Sequence, residues 1–235
     1  MTTFPTLLAR LLRADAARPL ITFYDFATGE RTELSVTTWA NWVAKTGSLL
    51  VEELDLERGD RLRVDLPTHW LGPVFLGAAW SAGLVVVLEG DDPGDAVACG
   101  PDGLARWTGA GVPVVASALL PLGVRFPEPL PGGVHDFGVE VWSQPDSFVA
   151  WDPPTPEDDA VPGTTQAELW AAAAAGSLLT DGDRVLTEEN PASPSGLSSF
   201  TEPLVRSGSV VLVAHAGPEQ LDATYAAERA TVRVP

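Results

Sequence analysis

Four small or polar residues follow one predicted strand and are candidates for contact with a ligand. The strand sequence is RVLTEE, and Asn190, Ser193, Ser195 and Gly196 come after it. In open α/β folds, ligands bind in the crevice outside the carboxyl ends of the parallel strands. We therefore predict that these four residues lie at the mouth of a ligand crevice, if the protein has one.

Other residues of catalytic type lack the partners that catalysis requires. Ser195 precedes Gly196, but the sequence contains no Gly-x-Ser-x-Gly nucleophile elbow. Glu188 and Glu189 are adjacent in a predicted strand, so their side chains point to opposite faces and do not form an acid–base pair. Three histidines lie near predicted turns or at a strand end: His69, His135 and His215. Each is predicted to be solvated or structurally hydrogen-bonded, so we predict no catalytic residue.

The supply of cysteine and histidine limits metal binding and disulfide formation. One cysteine and three histidines cannot form a dense metal site, and one cysteine cannot form an internal disulfide. Cys99 follows a short apolar stretch, which predicts a buried thiol that behaves as a small hydrophobic side chain. We expect no metal and no other cofactor, and the cysteine content fits a reducing cytoplasm.

Charge and hydropathy exclude two classes of partner. The net charge of −18, from 32 acidic and 14 basic residues, creates a field that repels nucleic-acid phosphates and anionic lipids. The apolar runs LVVVL and VVLVA are strand-sized, whereas a membrane-spanning helix needs about 20 residues. Near the N-terminus, Arg10 and Arg13 interrupt the apolar run that a signal sequence would need. We expect neither a nucleic-acid partner nor a membrane association.

Strands and helices alternate along the predicted chain. The segments LITFYD and ERTELS form a predicted hairpin, with Gly29 in its turn, after an N-terminal surface helix. Downstream, RLRVDLP, HWLGPVFLGAAWSAG and LVVVLEG predict a strand, an apolar helix and a buried strand. This order is typical of a βαβ unit, so we predict an α/β fold with mostly parallel sheets.

One succession of elements occurs twice. Residues 56–90 and 179–215 both contain Gly-Asp-Arg, a strand ending in proline, a helix, a small-residue stop and a valine-rich strand. Two matched copies indicate an internal duplication that forms two similar, doubly wound layers. We predict a first half with the N-terminal helix and hairpin at 1–150, a proline-rich acidic linker at 151–163, and a shorter second half at 164–235.

The same segments carry a resemblance to a known superfamily. Residues 18–87, with LITFYD, GDRLRVDLP and AGLVVV, resemble the opening of the acyl-CoA synthetase or AMP-binding, adenylate-forming enzymes. LTDGDRVL and GLSSFTEPLVRSGSVVLVAH are similar to the second subdomain of those enzymes. In particular, the chain resembles a family of short, synthetase-like actinobacterial proteins. The resemblance implies the duplicated N-terminal subdomains of that fold.

The motifs that the superfamily uses for adenylation differ here. Its glycine-rich phosphate loop ends in Pro-Lys-Gly, because backbone N–H groups and a lysine gather the triphosphate. Residues 163–165 read Gly-Thr-Thr, but three carboxylates precede them at 157–159 and the only lysine of the chain is Lys45. We therefore predict that Thr164 or Thr165 caps a helix. Ser193 takes the place of a family histidine, and the family's later acidic motif, ribose aspartate and catalytic domain are expected to be missing.

Two functions follow from these features. The first is a catalytically degenerate synthetase-like protein that binds a partner protein or a small acyl, aryl or nucleotide-like ligand. The alternative is a divergent or split ligase or acyltransferase that another chain completes. The resemblance favours the first, because a split enzyme is expected to keep the phosphate loop that belongs to this half of the fold.

Overall fold

The apolar segments form two five-stranded sheets and one short ribbon in the computed structural model, which describes residues 2–234. The strands are β1 Pro19–Asp25, β2 Glu30–Ser35, β3 Arg61–Asp65, β4 Val85–Val87, β5 Ala96–Cys99, β6 Val114–Ala116, β7 Val134–Asp136, β8 Asp159–Val161, β9 Thr164–Thr165, β10 Arg184–Thr187, β11 Ser209–Ala214 and β12 Val232–Val234. The α-helices are α1 Phe4–Asp15, α2 Val36–Ser48, α3 Leu71–Ala82, α4 Leu104–Trp107, α5 Phe137–Glu140, α6 Gln166–Ala175, α7 Ser198–Val205 and α8 Pro218–Ala227. The predicted α/β fold is confirmed.

Parallel pairing dominates both large sheets. Sheet A has the strand order β12–β10–β11–β1–β2, and only its β1–β2 hairpin is antiparallel. Sheet B has the order β4–β3–β5–β6–β7 and is parallel throughout. Parallel sheets need helices on both faces, because neither face can be left to water. The two sheets therefore require inner and outer helices.

Helices fill the space between the sheets and cover the outer faces. All 12 residues of α3 are buried, because α3 packs on sheet B and also against α1 and α2, and α2 in turn packs against β1 and β2 of sheet A. Separate apolar clusters lie on the outer faces, with Trp107 on sheet B and Leu221 on sheet A. Across residues 2–234, none of these helices has the length and apolar content that crossing a bilayer demands.

The two copies of the repeat occupy equivalent places in the two sheets. The strand after Gly59 is β3, which lies between β4 and β5, and the strand after Gly182 is β10, which lies between β11 and β12. In both cases one neighbour is the next strand in sequence and the other is the strand after that. This agreement supports the predicted internal duplication, whose evolutionary origin stays a prediction.

The Gly-Asp-Arg turns also share their hydrogen bonds. Gly59 and Gly182 have φ angles of 93° and 81°, in the left-handed region that favours glycine. The Oδ2 atoms of Asp60 and Asp183 accept hydrogen bonds from the backbone N–H three residues earlier, at 2.8 and 2.6 Å. Each turn thus uses glycine for its backbone angle and aspartate to satisfy a free donor.

The hairpin differs from the expected division into halves. The sequence predicts that the hairpin belongs with residues 1–150, but β1 pairs in parallel with β11, so the hairpin completes the sheet of residues 184–234. The cause is long-range strand pairing, which local sequence patterns do not contain. The boundaries at 151–163 and 164–235 stay predictions, but strand pairing places the hairpin in sheet A, with the strands of the second half.

A buried carboxylate joins the hairpin to the start of α3. Glu30 accepts hydrogen bonds from Thr32 Oγ1 at 2.7 Å and Trp70 Nε1 at 3.1 Å, and its Oε2 lies 3.9 Å from His69 Nε2. Its side chain is 3% exposed. Burial acts to raise the pKa of Glu30, but His69 and these hydrogen bonds outweigh burial and hold the pKa below its usual 4.5. The ionised form of Glu30 therefore stabilises the contact between the sheets.

We expect Glu30→Gln to lower the free energy of unfolding at pH 7 by about 1–3 kcal/mol, because the buried donors lose a charged acceptor. A depressed folded-state pKa means that the stabilisation is present above pH 4.5 and is lost as pH falls through the folded pKa. Urea unfolding from pH 3 to 7 measures both effects. Glu33→Gln on the exposed face of the same strand is the control, and equal stability of the two variants would contradict this account.

Candidate functional site

The four sequence-predicted residues lie together in the loop between β10 and α7. Ser193 donates hydrogen bonds to Asn190 O from its backbone N–H at 3.0 Å and from its Oγ at 2.7 Å. The Gly196 N–H donates to Ser193 Oγ at 3.1 Å, and Ser195 Oγ donates to Glu189 Oε2 at 2.9 Å. Because most of their polar atoms are used within the loop, these residues give the loop a fixed shape.

Asn190 also connects this loop to sheet B by a hydrogen bond. Its Nδ2 donates to Leu66 O at 2.7 Å, just beyond the carboxyl end of β3, and its Oδ1 accepts the Ala192 N–H at 2.9 Å. Ala192 is buried, and its methyl group faces Gly72 at the start of α3. Gly196 is buried where a Cβ atom would lie 2.0 Å from Asn190 O. The loop therefore bridges the two sheets.

The loop borders two cavities. The larger has a volume of about 440 Å³ and lies beside β4 and the β8 ribbon. Its lining is largely apolar: Val86, Val87, Leu88, Val161, Pro162, Pro194 and Leu197, with Arg61, Glu89 and Asp92. Arg61 Nη1 pairs with Asp92 Oδ2 at 2.6 Å, so the charges of these two side chains offset each other. The cavity is an apolar space with a small polar part.

The smaller crevice, of about 220 Å³, lies where strands of both sheets end. Its lining residues follow or end β3, β10 and β11: Pro67, Thr68, Glu188, Val213, Ala214 and His215. Thr68 Oγ1 donates to Glu188 O at 3.1 Å across the crevice. This is the position that the fold class predicts for a ligand crevice.

An aspartate–histidine pair adjoins the smaller crevice. Asp25 ends β1 and His215 follows the paired strand β11, which places His215 Nδ1 2.7 Å from Asp25 Oδ1. Burial acts to raise the pKa of Asp25, but hydrogen bonds from His215, Ala27 and Thr28 outweigh burial and hold the pKa below its usual range. The His215 side chain is 66% exposed, and the backbone φ angle of His215 is 57°. A carboxylate-oriented imidazole of this kind can accept or donate a proton through its other nitrogen.

Sequence reasoning located the loop but missed the residues that line the cavities. The linings include Glu188 and Leu197, which lie outside the four predicted residues in the loop, and Pro194, which lies between two of them. The assignment of Asn190, Ser193, Ser195 and Gly196 as ligand contacts stays a prediction. The sequence contained a signal for the Asp25–His215 pair, since each of these residues follows the apolar run of a predicted strand.

The helix after the Gly-Thr-Thr sequence begins with a capping box. Thr165 Oγ1 accepts the Glu168 N–H at 3.2 Å, and Glu168 Oε2 accepts the Thr165 N–H at 2.9 Å. The prediction of a threonine helix cap is confirmed, with Thr165 as the cap. The hydrogen bonds from Thr165 hold the pKa of Glu168 below its usual range. A carboxylate therefore occupies the positive end of this helix, where an anion would bind.

The acidic residues before this helix are used in local structure. Asp158 Oδ2 accepts the Thr155 N–H at 2.7 Å and lies 3.7 Å from Arg58 Nε. Asp159 Oδ2 accepts the Gly163 N–H at 3.0 Å. The segment thus forms a closed turn in which its own carboxylates take backbone donors.

The remaining residues of catalytic type are buried or hydrogen-bonded to neighbouring groups. Cys99 is buried, as predicted, and burial together with the charge of Asp65 raises the pKa of its thiol to about 12. His69 is buried, and its Nδ1 accepts the Leu71 N–H at 3.2 Å. His135 Nδ1 lies 3.0 Å from Glu140 Oε2. The prediction of solvated or structurally bonded histidines is confirmed for His69 and His135.

A close relative settles the family. A "TIGR03089 family protein" from Mycobacterium tuberculosis (strain ATCC 25618 / H37Rv) is 38% identical over 246 aligned residues, which cover 98% of this chain and 99% of the relative. The chain belongs to the TIGR03089 family. No family model matches the chain.

Solved structures place the fold of this TIGR03089 family member among acyl-CoA ligases. A benzoate CoA ligase from Burkholderia xenovorans LB400 has a TM-score of 0.76 and 20% identity, over 99% of this chain and 50% of the ligase. An acyl-CoA synthetase from Brucella canis has a TM-score of 0.78 and 16% identity, over 97% of this chain and 46% of the synthetase. A fatty acyl CoA synthetase from Mycobacterium tuberculosis has a TM-score of 0.73 and 13% identity, over 98% of this chain and 48% of the synthetase.

This chain spans about half the length of those ligases. The match lies in the N-terminal region of the adenylate-forming fold, so the resemblance and the fold predicted from the sequence are confirmed. At these sequence identities the similarity concerns the fold alone.

We expect Gly196→Ala to lower the free energy of unfolding by about 1–3 kcal/mol, because the added methyl group overpacks the loop against Asn190 O. Gly132→Ala is the matched control, since its Cβ would enter open space and its φ is not positive. Urea unfolding of both variants measures the difference. Wild-type stability of Gly196→Ala would show that the loop is not packed as described.

Proposed function

We propose that this protein is a catalytically degenerate, acyl-CoA synthetase-like module that binds a small acyl or aryl ligand in the larger cavity without adenylating it. The observation that carries the proposal is the apolar cavity of about 440 Å³ beside the loop that bridges the sheets. Ligand pockets commonly measure about 300–1,000 Å³ and combine an apolar lining with a few polar groups. The cavity meets both criteria.

The lining favours an apolar ligand with one polar end. Val87, Val161 and Leu197 offer aliphatic contact, whereas Arg61 and Asp92 supply a cation and a carboxylate that already pair with each other. A carboxylate on the ligand can exchange places with Asp92 at the Arg61 guanidinium, because guanidinium groups bind carboxylates strongly. The solved relatives named for benzoate and fatty acyl groups support this ligand class by analogy.

The start of α6 argues against adenylation. In place of mobile glycine donors and a lysine, this chain has the Thr165–Glu168 capping box, with Asp158 and Asp159 before it. Stabilisation of a transferring phosphoryl or adenylyl group depends on preorganised positive charge and backbone donors. Here the donors are occupied by carboxylates, and the net charge of −18 adds repulsion of ATP. We place the protein in the cytoplasm, consistent with its single buried cysteine.

One observation favours the alternative, an enzyme of the ligase or acyltransferase type that another chain completes. The Asp25–His215 pair adjoins the smaller crevice and has the geometry of an oriented general base. The crevice, at about 220 Å³, is smaller than the common range of ligand pockets of about 300–1,000 Å³. A reacting group could enter the crevice, but a whole ATP molecule exceeds it.

We expect calorimetric titration to show binding of benzoate or octanoate and no binding of MgATP. Leu197→Asp should weaken carboxylate binding at least tenfold, because it puts a negative charge into the apolar lining. Leu122→Asp is the control, since Leu122 is 68% exposed and lies outside this cavity. Thermal melts confirm that both variants fold, and Leu197→Ala provides a milder change in the same place.

Carboxylate-dependent pyrophosphate exchange measures adenylation directly. We expect no exchange above background for the wild-type chain with benzoate, hexanoate or octanoate. Micromolar binding of MgATP or measurable exchange would refute the degenerate module and favour the enzyme. In that case, loss of the exchange in His215→Ala would assign the reaction to the smaller crevice.

A further inference from the structure

An exposed apolar segment lies away from both cavities. Residues 147–152 read SFVAWD, and residues 147–150 form no helix, strand or turn. Val149 is 90% exposed and Trp151 is 100% exposed. Within residues 2–234, no backbone N–H or C=O of this segment takes part in a hydrogen bond. A run of free backbone groups next to exposed apolar side chains is the surface to which another strand can pair.

Residues 147–150 have the alternation of an extended chain, and the chain bends at Trp151 and Asp152. Phe148 and Ala150 are half-buried, whereas Val149 and Trp151 point to solvent. The Phe148 ring packs over Gly47 of α2, where a Cβ atom would lie only 3.0 Å from the ring. Alternate side chains of an extended chain point to opposite sides. One side of the segment is thus fixed to the protein, and the other side and the backbone are available.

A groove runs beside this segment. It has a volume of about 580 Å³, and its apolar lining comes from Val51, Leu56, Ala82, Ala150 and Trp151. The charged residues of the lining are three acids and one base: Asp55, Glu57, Asp152 and Arg58. Arg58 already lies 3.3 Å from Asp152 and 3.7 Å from Asp158. The groove therefore offers apolar contact within a net negative rim.

We propose that residues 147–152 are a docking strand for an extended, basic segment of a partner protein. Backbone pairing with this segment, which belongs to none of the sheets, supplies affinity through main-chain hydrogen bonds of the kind formed when a strand is added in other complexes. An apolar side chain of the partner enters the groove against Val51 and Leu56. Lysine or arginine side chains on either side of it meet the carboxylates of Asp55, Glu57 and Asp152.

Charge complementarity selects a basic partner over a second copy of this chain. Antiparallel self-pairing centred on Val149 brings Asp146 of one copy towards Asp152 of the other, and these side chains, at the bends on either side of residues 147–150, are 65% and 67% exposed. Like charges directly opposite each other destabilise a strand pair. Two copies would also each bring a net charge of −18. Pro145 and Pro153 end the segment and limit longer pairing with chains of its own kind.

This docking strand is independent of the proposed ligand cavity. None of the residues that line the groove lines the cavity of the proposed function. Loss of ligand binding in Leu197→Asp and loss of partner binding at residues 147–152 are therefore separate results. Failure of either proposal leaves the other unaffected.

The test uses fluorescein-labelled peptides and the full chain. The probe is KVKVKVK, and the matched controls are KKVVVKK, with the same composition without alternation, and EVEVEVE. We expect KVKVKVK to bind at least tenfold more tightly than either control in anisotropy titrations. Hydrogen exchange of the complex should slow at the amides of residues 147–152.

Two valine variants separate backbone pairing from general charge attraction. Val149→Pro removes a backbone donor at the centre of the docking strand, so binding of KVKVKVK should weaken at least tenfold. Val124→Pro is the control, because Val124 is 42% exposed and its φ of −71° suits proline. Trp151→Ala should weaken binding at least threefold without loss of the fold in thermal melts.

Three outcomes would overturn the proposal. Equal binding of KVKVKVK and KKVVVKK would mean that charge alone attracts the peptide. Unchanged binding by Val149→Pro, or exchange protection elsewhere, would place the peptide on another surface. A concentration-dependent dimer in light scattering that Val149→Pro abolishes would make a second copy of the chain the occupant.

Discussion

The arrangement of the whole molecule depends on the burial of helices between two parallel sheets. The Phe4 ring lies at the centre of this layer, with ring centroids of Trp39, Trp80 and Trp170 at 5.7, 5.8 and 5.9 Å. Gln166, which is fully buried, accepts the Phe4 N–H at 2.7 Å and donates to Trp80 O at 3.0 Å. Residues from the chain start, the first repeat and helix α6, which precedes the second repeat, thus share one core, so neither sheet keeps its inner face covered without the other.

This shared core also determines where the loop after β10 lies. With the sheets held apart by α3 and its neighbours, the carboxyl ends of β3 and β10 come close enough for Asn190 to reach Leu66 O. The loop is then held at both sides, by sheet B through Asn190 and by its own serine hydrogen bonds. The two cavities therefore border a loop whose shape these hydrogen bonds fix.

Local patterns in the sequence predicted those features of the fold that depend on residues close together in the chain. The strand–helix order, the Gly-Asp-Arg turns and the cap at Thr165 depend on residues within a few positions of one another. The sheet that the hairpin joins depends on β1 meeting β11, almost 190 residues away by the Ile21–Val210 pairing. The Asp25–His215 pair is a product of the same meeting. Pairings at this separation are set by the common core, which no window of sequence contains.

The acidity of the chain is partly a consequence of how its loops are built. Asp60, Asp158, Glu168 and Asp183 each accept a backbone N–H from the residue three positions earlier. Hydrogen bonds from Thr180 and Thr231 hold the pKa of Asp183 below its usual range, as those from Thr165 do for Glu168. Carboxylates that satisfy turns and a helix start in this way also fill the places where a phosphate would find its donors. An anion arriving at α6 would have to displace Glu168 and leave that carboxylate without its hydrogen bonds, so the local structure of the segment opposes phosphate binding.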